Sequence, residues 1–147
     1  MEARIRVVGI ALATIALLAA GAVPAVAAAP VANGGVVSAQ TFSCNYQFLA
    51  DATHPAGWYA GWSSTWSTVT QRPQQNDRVK EVQCLLKRLA AGTGNSAYDP
   101  GPIDGIFGWH TDSAVRAFQQ GCFPSDPSQW DGSVGPNTWP CLRTTTV

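Results

Sequence analysis

Two aspartates, Asp104 and Asp131, are the residues whose type and spacing could most readily do chemistry. Glycoside hydrolases use two carboxylates, an acid and a nucleophile or base, in differently tuned surroundings. Here both aspartates stand in copies of one pattern, residues 104–111 and 131–138, which share Asp, Gly, an apolar residue, a second Gly and Thr. Matching surroundings favour matching structural roles, in which each carboxylate accepts N–H bonds from its own turn. We interpret the repeat as a structural turn, with a hydrolytic pair as the alternative.

The glycines of the repeat predict a turn that leads into a helix. Gly105 and Gly132 suit backbone positions with φ > 0. Gly108 and Gly135 stand where a helix N-cap belongs, and Pro136 follows the second of them at an expected first helical position. We therefore expect a helix to begin directly after the second glycine of each copy.

Other catalytic and metal-binding patterns are absent from the sequence. The two histidines, His54 and His110, have no zinc-ligand spacing, and no Cys-x-x-Cys pair occurs. There is also no Gly-x-Ser-x-Gly turn and no phosphate-binding loop. We expect no catalytic residues, no cofactor and no metal ion.

The first residues are typical of a secretory signal peptide. A short basic stretch precedes an apolar run from Val7 to about Val23, and Ala25-Val26-Ala27 supplies a cleavage pattern. We expect cleavage after Ala27, with a retained membrane anchor as the alternative. The expected product is secreted and extracellular, with one main domain behind a flexible leader over 28–43.

The charges are balanced, with nine Lys and Arg against nine Asp and Glu. No run or stripe of basic residues is present that could neutralise phosphates. Nucleic acid and anionic membrane surfaces are therefore excluded as expected partners.

Three amphipathic segments predict three helices. The first is expected from about Arg78 to Ala90, with Asn76 or Asp77 as N-cap and Gly92 and Gly94 ending it. Its apolar residues recur at helical spacing: Val79, Val82, Leu86 and Leu89. The second helix is expected over about 109–120 and the third over 136 to about 143.

Four cysteines predict two disulfides in an exported chain of this size. Their spacing alone leaves three pairings open. Cys84 lies opposite the apolar stripe of the first helix, so a residue from outside the helical core must reach it. Cys122 continues the buried side of the second helix, and Cys141 lies on a flank of the third. These directions favour Cys44–Cys84 and Cys122–Cys141.

Residues 44–77 combine chain-breaking Pro and Gly with many aromatic rings. The rings are Phe42, just before this stretch, and Tyr46, Phe48, Trp58, Tyr59, Trp62 and Trp66. Because so many large apolar side chains rarely remain solvated together, we expect this irregular segment to pack against the helices.

Four runs in order resemble the three-helix peptidoglycan-binding-like domain found in bacterial cell-wall hydrolases and in exported actinobacterial proteins. They are Val79–Leu86, Pro100–Gly108, Thr111–Gln119 and Asp131–Trp139. The resemblance covers about 78–143, before a short tail over 144–147, and implies an all-α three-helix bundle. The disulfide-tethered, aromatic-rich and mostly irregular segment would precede that bundle. Longer loops at 91–98 and 123–130 are departures that bear on affinity and ligand choice.

The resemblance implies a non-catalytic module whose partner is peptidoglycan, through its glycan strand or its stem peptide. Trp109 could stack on a sugar ring or cover the core edge, while His110 and Arg116 could meet a stem-peptide carboxylate or lie solvated. The candidate ligand-binding residues are Asp104, Phe107, Trp109, His110, Arg116 and Trp130. One alternative is an interaction or regulatory protein that binds a secreted wall hydrolase through the same scaffold. Another is a small wall hydrolase. Exposure of the rings from Trp58 to Trp66 would favour a protein interface, whereas their burial would make them core.

Overall fold

The computed structural model describes residues 40–147, so the expected signal peptide and most of the expected leader lie outside the described residues. Three helices dominate, as predicted. The elements are β1 (Gln47–Leu49), β2 (Gly57–Tyr59), α1 (Asp77–Thr93), α2 (Trp109–Cys122) and α3 (Thr138–Thr144), with short 3-10 turns at Ser96–Tyr98 and Pro127–Gln129. Within the described range, no helix has the length and apolar character needed to cross a membrane.

Helix α1 begins and ends at residues that cap it. The Asn76 side chain accepts a hydrogen bond from the Val79 N–H at 3.2 Å, which makes Asn76 the N-cap. The helix ends at Gly94, whose φ of 71° lies in the left-handed region that glycine adopts at low cost. It therefore continues three residues beyond the predicted end at Ala90, through Gly92.

The predicted apolar stripe of α1 forms the centre of the core. Its four residues are fully buried against side chains from the other two helices, namely Ala114, Val115, Phe118, Trp139 and Leu142. The opposite side of α1 is buried as well, since Cys84 packs with Ala60 and Ile103 in a second apolar cluster. Helix α1 is thus covered on two sides, by the helices and by the N-terminal segment.

The other helix bounds differ slightly from those predicted. Helix α2 extends to Cys122, two residues beyond the expected end. Helix α3 begins at Thr138, so the expectation that Pro136 is its first residue is wrong. The Trp139 N–H donates to the Gly135 carbonyl at 2.9 Å, so the chain already turns helically through Pro136 before the regular helix begins.

The N-terminal segment is mostly irregular, as expected, but it contains a short hairpin that was not predicted. Strands β1 and β2 pair antiparallel, with Gln47 opposite Tyr59 and Leu49 opposite Gly57. Three residues per strand are too few to show a convincing alternation in the sequence. The segment is joined to α1 by Cys44–Cys84, and α2 to α3 by Cys122–Cys141, the two pairs that the helix directions favoured.

A buried ion pair also fastens this segment to the helices. Glu81 of α1 and Arg143 of α3 are both 0% exposed, and Arg143 Nη1 lies 2.8 Å from Glu81 Oε1. Glu81 accepts backbone N–H bonds from Ala60, Trp62 and Ser63. Arg143 donates to the carbonyls of Trp58, Ser63 and Thr65. Because both charges are hydrogen-bonded throughout, the pair holds the segment in one position without leaving a charge uncompensated.

Candidate ligand-binding surface

A buried glutamine holds the first Asp-Gly turn. The Gln83 side-chain amide donates to Asp104 Oδ1 at 2.8 Å and to the Ile106 carbonyl at 3.1 Å. It also lies 3.1 Å from the Thr111 hydroxyl, and its oxygen accepts the Gly105 N–H at 2.9 Å. One α1 side chain therefore links the turn to the start of α2.

The second turn is held in the same way from α2. Gln119 donates to Asp131 Oδ1 at 3.0 Å, to the Ser133 carbonyl at 2.9 Å and to the Thr138 hydroxyl at 3.2 Å. Its oxygen accepts the Gly132 N–H at 2.9 Å. The repeat of the sequence is thus a repeat of structure, in which a helix positions the turn that begins the following helix.

The two aspartate carboxylates accept the same bonds in their two turns. Asp104 Oδ1 accepts the Ile106 N–H at 2.9 Å, and Asp131 Oδ1 accepts the Ser133 N–H at 2.7 Å. Gly105 and Gly132 have φ of 73° and 79°, as their positions in the pattern predicted. These bonds give both carboxylates the turn-forming role that their matching surroundings favoured.

Residues 70–75 lie along both turns and bring them to one face. Thr70 exchanges two backbone hydrogen bonds with Val134, at 3.0 and 2.9 Å. The Phe107 N–H donates to the Gln74 carbonyl at 2.8 Å, and an isolated bridge pairs Gln75 with Ile106. Between these contacts the segment itself turns at Arg72 and Pro73, where the Gln74 N–H donates to the Gln71 carbonyl at 2.9 Å. Residues 70–75 and the two Asp-Gly turns together define a surface that we call the turn face.

Trp109 is the most exposed large apolar side chain of the turn face. It is 69% exposed, so it does not cover the core. The Arg72 guanidinium lies over its ring, 4.2 Å from the centroid. Sequence reasoning did not select Arg72, because nothing in the sequence showed that residues 70–75 run beside the start of α2.

A shallow cavity of about 270 Å³ opens beside the second turn. Its polar lining consists mainly of neutral amides and hydroxyls from Gln71, Gln129, Asn137, Ser133 and Thr138, together with Asp131. The Ser133 hydroxyl donates to Gln71 Oε1 at 2.5 Å, and Asn137 Nδ2 donates to Gln129 Oε1 at 3.0 Å. These bonds order the lining before any ligand arrives.

The other candidate residues fall into different environments. His110 is exposed at the start of α2, whereas Phe107 is only 1% exposed and belongs to the core, so it offers almost no surface to a ligand. Arg116 donates from Nε to Asp112 Oδ2 at 2.9 Å and from Nη1 to the Trp130 carbonyl at 2.7 Å, and its side chain is still 45% exposed. Trp130 is half-buried, and its indole N–H donates to the Phe123 carbonyl.

Hydrogen bonds lower the pKa of two carboxylates, one directly after the first longer loop and one within the second. Hydrogen bonding from the Lys87 ammonium, with the Gly101 N–H adding to it, lowers the pKa of Asp99. Hydrogen bonds from the Ser128 hydroxyl and N–H lower the pKa of Asp126. Among residues 40–147, His, Cys, Asp and Glu side chains form no group of three that could hold a metal ion.

The rings between Trp58 and Trp66 lie against the helices. Tyr59 is buried, and Trp58, Trp62 and Trp66 are half-buried. The Arg143 guanidinium lies 4.2 Å from the Tyr59 ring centroid. Burial of these rings was expected to make them part of the core, and exposure to favour a protein interface. They therefore belong to the packing and do not form an open protein interface.

One family model matches the chain, and it is described as "Putative peptidoglycan binding domain". It covers residues 75–142, from the segment before α1 into α3, and includes both Asp-Gly turns. Comparison with curated proteins and with solved structures gives no match.

Proposed function

We propose, since residues 75–142 form a peptidoglycan-binding-like domain, that this chain is an exported, non-catalytic module that attaches to bacterial cell-wall peptidoglycan. The turn face would be the contact surface. Two features of the turn face support this surface: the exposed Trp109 ring with a guanidinium against it, and the cavity at the second turn with its largely neutral polar lining.

The pair of Trp109 and Arg72 suits the two chemical parts of peptidoglycan. An exposed indole offers a flat apolar surface on which a sugar ring can stack. The guanidinium can bond a stem-peptide carboxylate through two N–H groups while it remains stacked on the ring. In this proposal Arg72 takes the role for which the sequence had suggested Arg116, because Arg72 lies directly on the exposed Trp109 ring, whereas Arg116 is held by Asp112 and the Trp130 carbonyl.

The cavity beside the second turn would accept glycan hydroxyl or acetamido groups. The amides of Gln71, Gln129 and Asn137 each combine a donor and an acceptor, which matches groups of that kind. Asp131 at its edge would disfavour an anionic group there, so the cavity suits the glycan strand better than a stem carboxylate.

Export and the non-catalytic role rest on separate observations. Two disulfides stabilise the chain, and disulfides persist in oxidising compartments outside the cytosol. The expected cleavage after Ala27 agrees with that location. Asp104 and Asp131 have equivalent turn partners, whereas an acid and a base of a glycosidase need different surroundings.

Retention on insoluble peptidoglycan tests the proposal. The exported protein should sediment with purified sacculi more than with cellulose, and Trp109→Ala should reduce the retained fraction several-fold, because stacking on one aromatic ring contributes about 1 kcal/mol. Phe48→Ala is the matched control, since Phe48 is also exposed, at 54%, but lies on the hairpin outside the matched residues. Retention equal to that on cellulose would contradict wall binding.

Two further results would separate the module from its alternatives. Zymography on purified cell wall should give no cleared band, whereas clearing would establish the small hydrolase. Equal losses for the Trp109 and Phe48 variants would show that the turn face is not the contact surface.

A further inference from the structure

A second cavity, of about 350 Å³, lies on the N-terminal segment, in residues that precede the matched domain. Its volume falls within the range of small-molecule sites in proteins. The side chains that matter for its chemistry are Asn45, Gln47, His54, Tyr59, Trp62 and Ser64.

The alternation of side chains along β1 places polar groups on one wall of this cavity. Asn45, Gln47 and Leu49 all line it, and successive side chains of an extended chain point to opposite faces. The intervening residues point elsewhere: the Tyr46 hydroxyl donates to the Cys84 carbonyl at 2.9 Å, and the Phe48 ring packs edge-on against Trp58. Two carboxamides are therefore presented side by side to the cavity.

The aromatic wall is held in place before any ligand binds. The Trp62 indole N–H donates to the Ser43 carbonyl at 3.0 Å, and its backbone N–H donates to Glu81 Oε2 at 3.0 Å. The buried Tyr59 donates its hydroxyl proton to the Pro55 carbonyl at 2.9 Å. Tyr59 is only 4% exposed, with the Arg143 guanidinium 4.2 Å from its ring centroid, so the half-buried Trp62 is the ring that a ligand would meet. Its position is fixed before binding, and ordering it costs the ligand nothing.

Several polar groups of the lining have no partner among the described residues. His54 uses Nδ1 towards Thr53 at 2.8 Å and Asp51 at 3.1 Å, so Nε2 remains available. The side-chain amides of Asn45 and Gln47 and the Ser64 hydroxyl make no hydrogen bond within residues 40–147. Donors and acceptors thus converge on one space beside aromatic rings.

The lining itself carries no Asp, Glu, Lys or Arg side chain, although the Lys80 ammonium lies 4.3 Å from the Trp62 ring centroid and Asp51 bonds His54. The lining therefore favours a neutral ligand. An ionic ligand would lose its hydration without gaining an opposite charge. Carboxamides and hydroxyls bond well to vicinal hydroxyl groups, and aromatic rings pack against the C–H faces of sugars. We propose that this cavity binds one ring of a neutral saccharide, a hexose or an N-acetylhexosamine, and that it does so independently of the turn face.

An NMR titration of the exported protein with two neutral trisaccharides, triacetylchitotriose and cellotriose, tests this site. We expect chemical-shift changes in residues 45–64 and in the Trp62 indole N–H. Gln47→Ala and Asn45→Ala should each raise Kd about five-fold, the effect of one hydrogen bond. Trp109→Ala should leave that Kd unchanged. Binding of either sugar at the cavity supports the proposal, and the stronger one tells whether an acetamido group contributes.

The folding of each variant is checked separately, because a loss of chemical-shift changes must come from a changed site and not from unfolding. Asn45 and Gln47 are exposed, so their alanine variants should have the same melting temperature as the unsubstituted protein. Ser64→Trp, which adds a bulky ring to the lining, is a second variant and should abolish the shifts. No shifts at about 10 mM of either sugar, where even millimolar affinity would be detected, would overturn the proposal. Shifts that survive all three substitutions would do the same. The loss of sacculus retention in Trp109→Ala does not depend on the outcome of this titration. Failure of the saccharide site can therefore be distinguished from failure of wall binding by the turn face.

Discussion

Replacing the glutamine that holds the first turn should destabilise the whole domain. In Gln83→Ala the turn loses a side-chain amide that has two hydrogens and three nearby acceptors, so two full hydrogen bonds are counted. The accepted bond from the buried Gly105 N–H is a third. At about 1 kcal/mol each, and with about 1 kcal/mol more for the orphaned N–H, the expected loss is about 4 kcal/mol. That is a large part of a typical free energy of unfolding.

Urea unfolding followed by far-UV circular dichroism measures this loss. Gln119→Ala should cost a similar amount, because it removes the equivalent bonds at the second turn. Gln120→Ala is the matched control: the neighbouring glutamine is exposed, and such changes stay within about 0.5 kcal/mol. If Gln83→Ala and Gln119→Ala match Gln120→Ala, the turns are not held as described.

Three other predictions concern the buried Glu81–Arg143 ion pair, a disulfide and acid stability. Arg143→Met leaves the buried Glu81 carboxylate without its charged partner and should lower the free energy of unfolding in urea by about 3–5 kcal/mol. A loss below about 1 kcal/mol would show that the ion pair does not hold the N-terminal segment as described. Replacing Cys44 and Cys84 together by alanine should cost about 2–5 kcal/mol by thermal unfolding under oxidising conditions, and an unchanged melting temperature would contradict it. Hydrogen bonding from Lys87 lowers the pKa of Asp99 in the folded protein. The ionised Asp99 therefore stabilises the fold above its unfolded pKa of about 4, and this stabilisation is lost as the pH falls through the folded pKa. The stability gap between the unsubstituted protein and Asp99→Asn should therefore narrow in acid, and a gap constant with pH would refute that reasoning.

The helices and their apolar faces could be predicted because their signals are local. The apolar residues of α1 recur at helical spacing, and the repeated Asp-Gly pattern predicts both turns. The disulfide pairs followed from helix directions, since a cysteine opposite the core stripe needs a partner from elsewhere. Boundaries such as the start of α3 were less predictable, because a turn with helical hydrogen bonding blends into the helix.

The turn-holding glutamines had a faint signal that was missed. Gln83 and Gln119 each follow directly after a core residue, Val82 and Phe118, within a helix that precedes an Asp-Gly turn. A glutamine in that place is unremarkable until its partner is known. The first turn begins 21 residues after Gln83, and the second begins only 12 residues after Gln119. No common spacing in the sequence therefore indicates which glutamine holds which turn.

The sequence by itself determined the helical character of this protein, its paired turns and its need for disulfides, because these depend on residues close together in the chain or on composition. Only the tertiary structure decided which polar groups meet. The pairing of Glu81 with Arg143 spans 62 residues, and the placement of Arg72 on Trp109 depends on how residues 70–75 cross the turns. Contacts of this kind are set by the packing of whole elements, and a local pattern does not encode them.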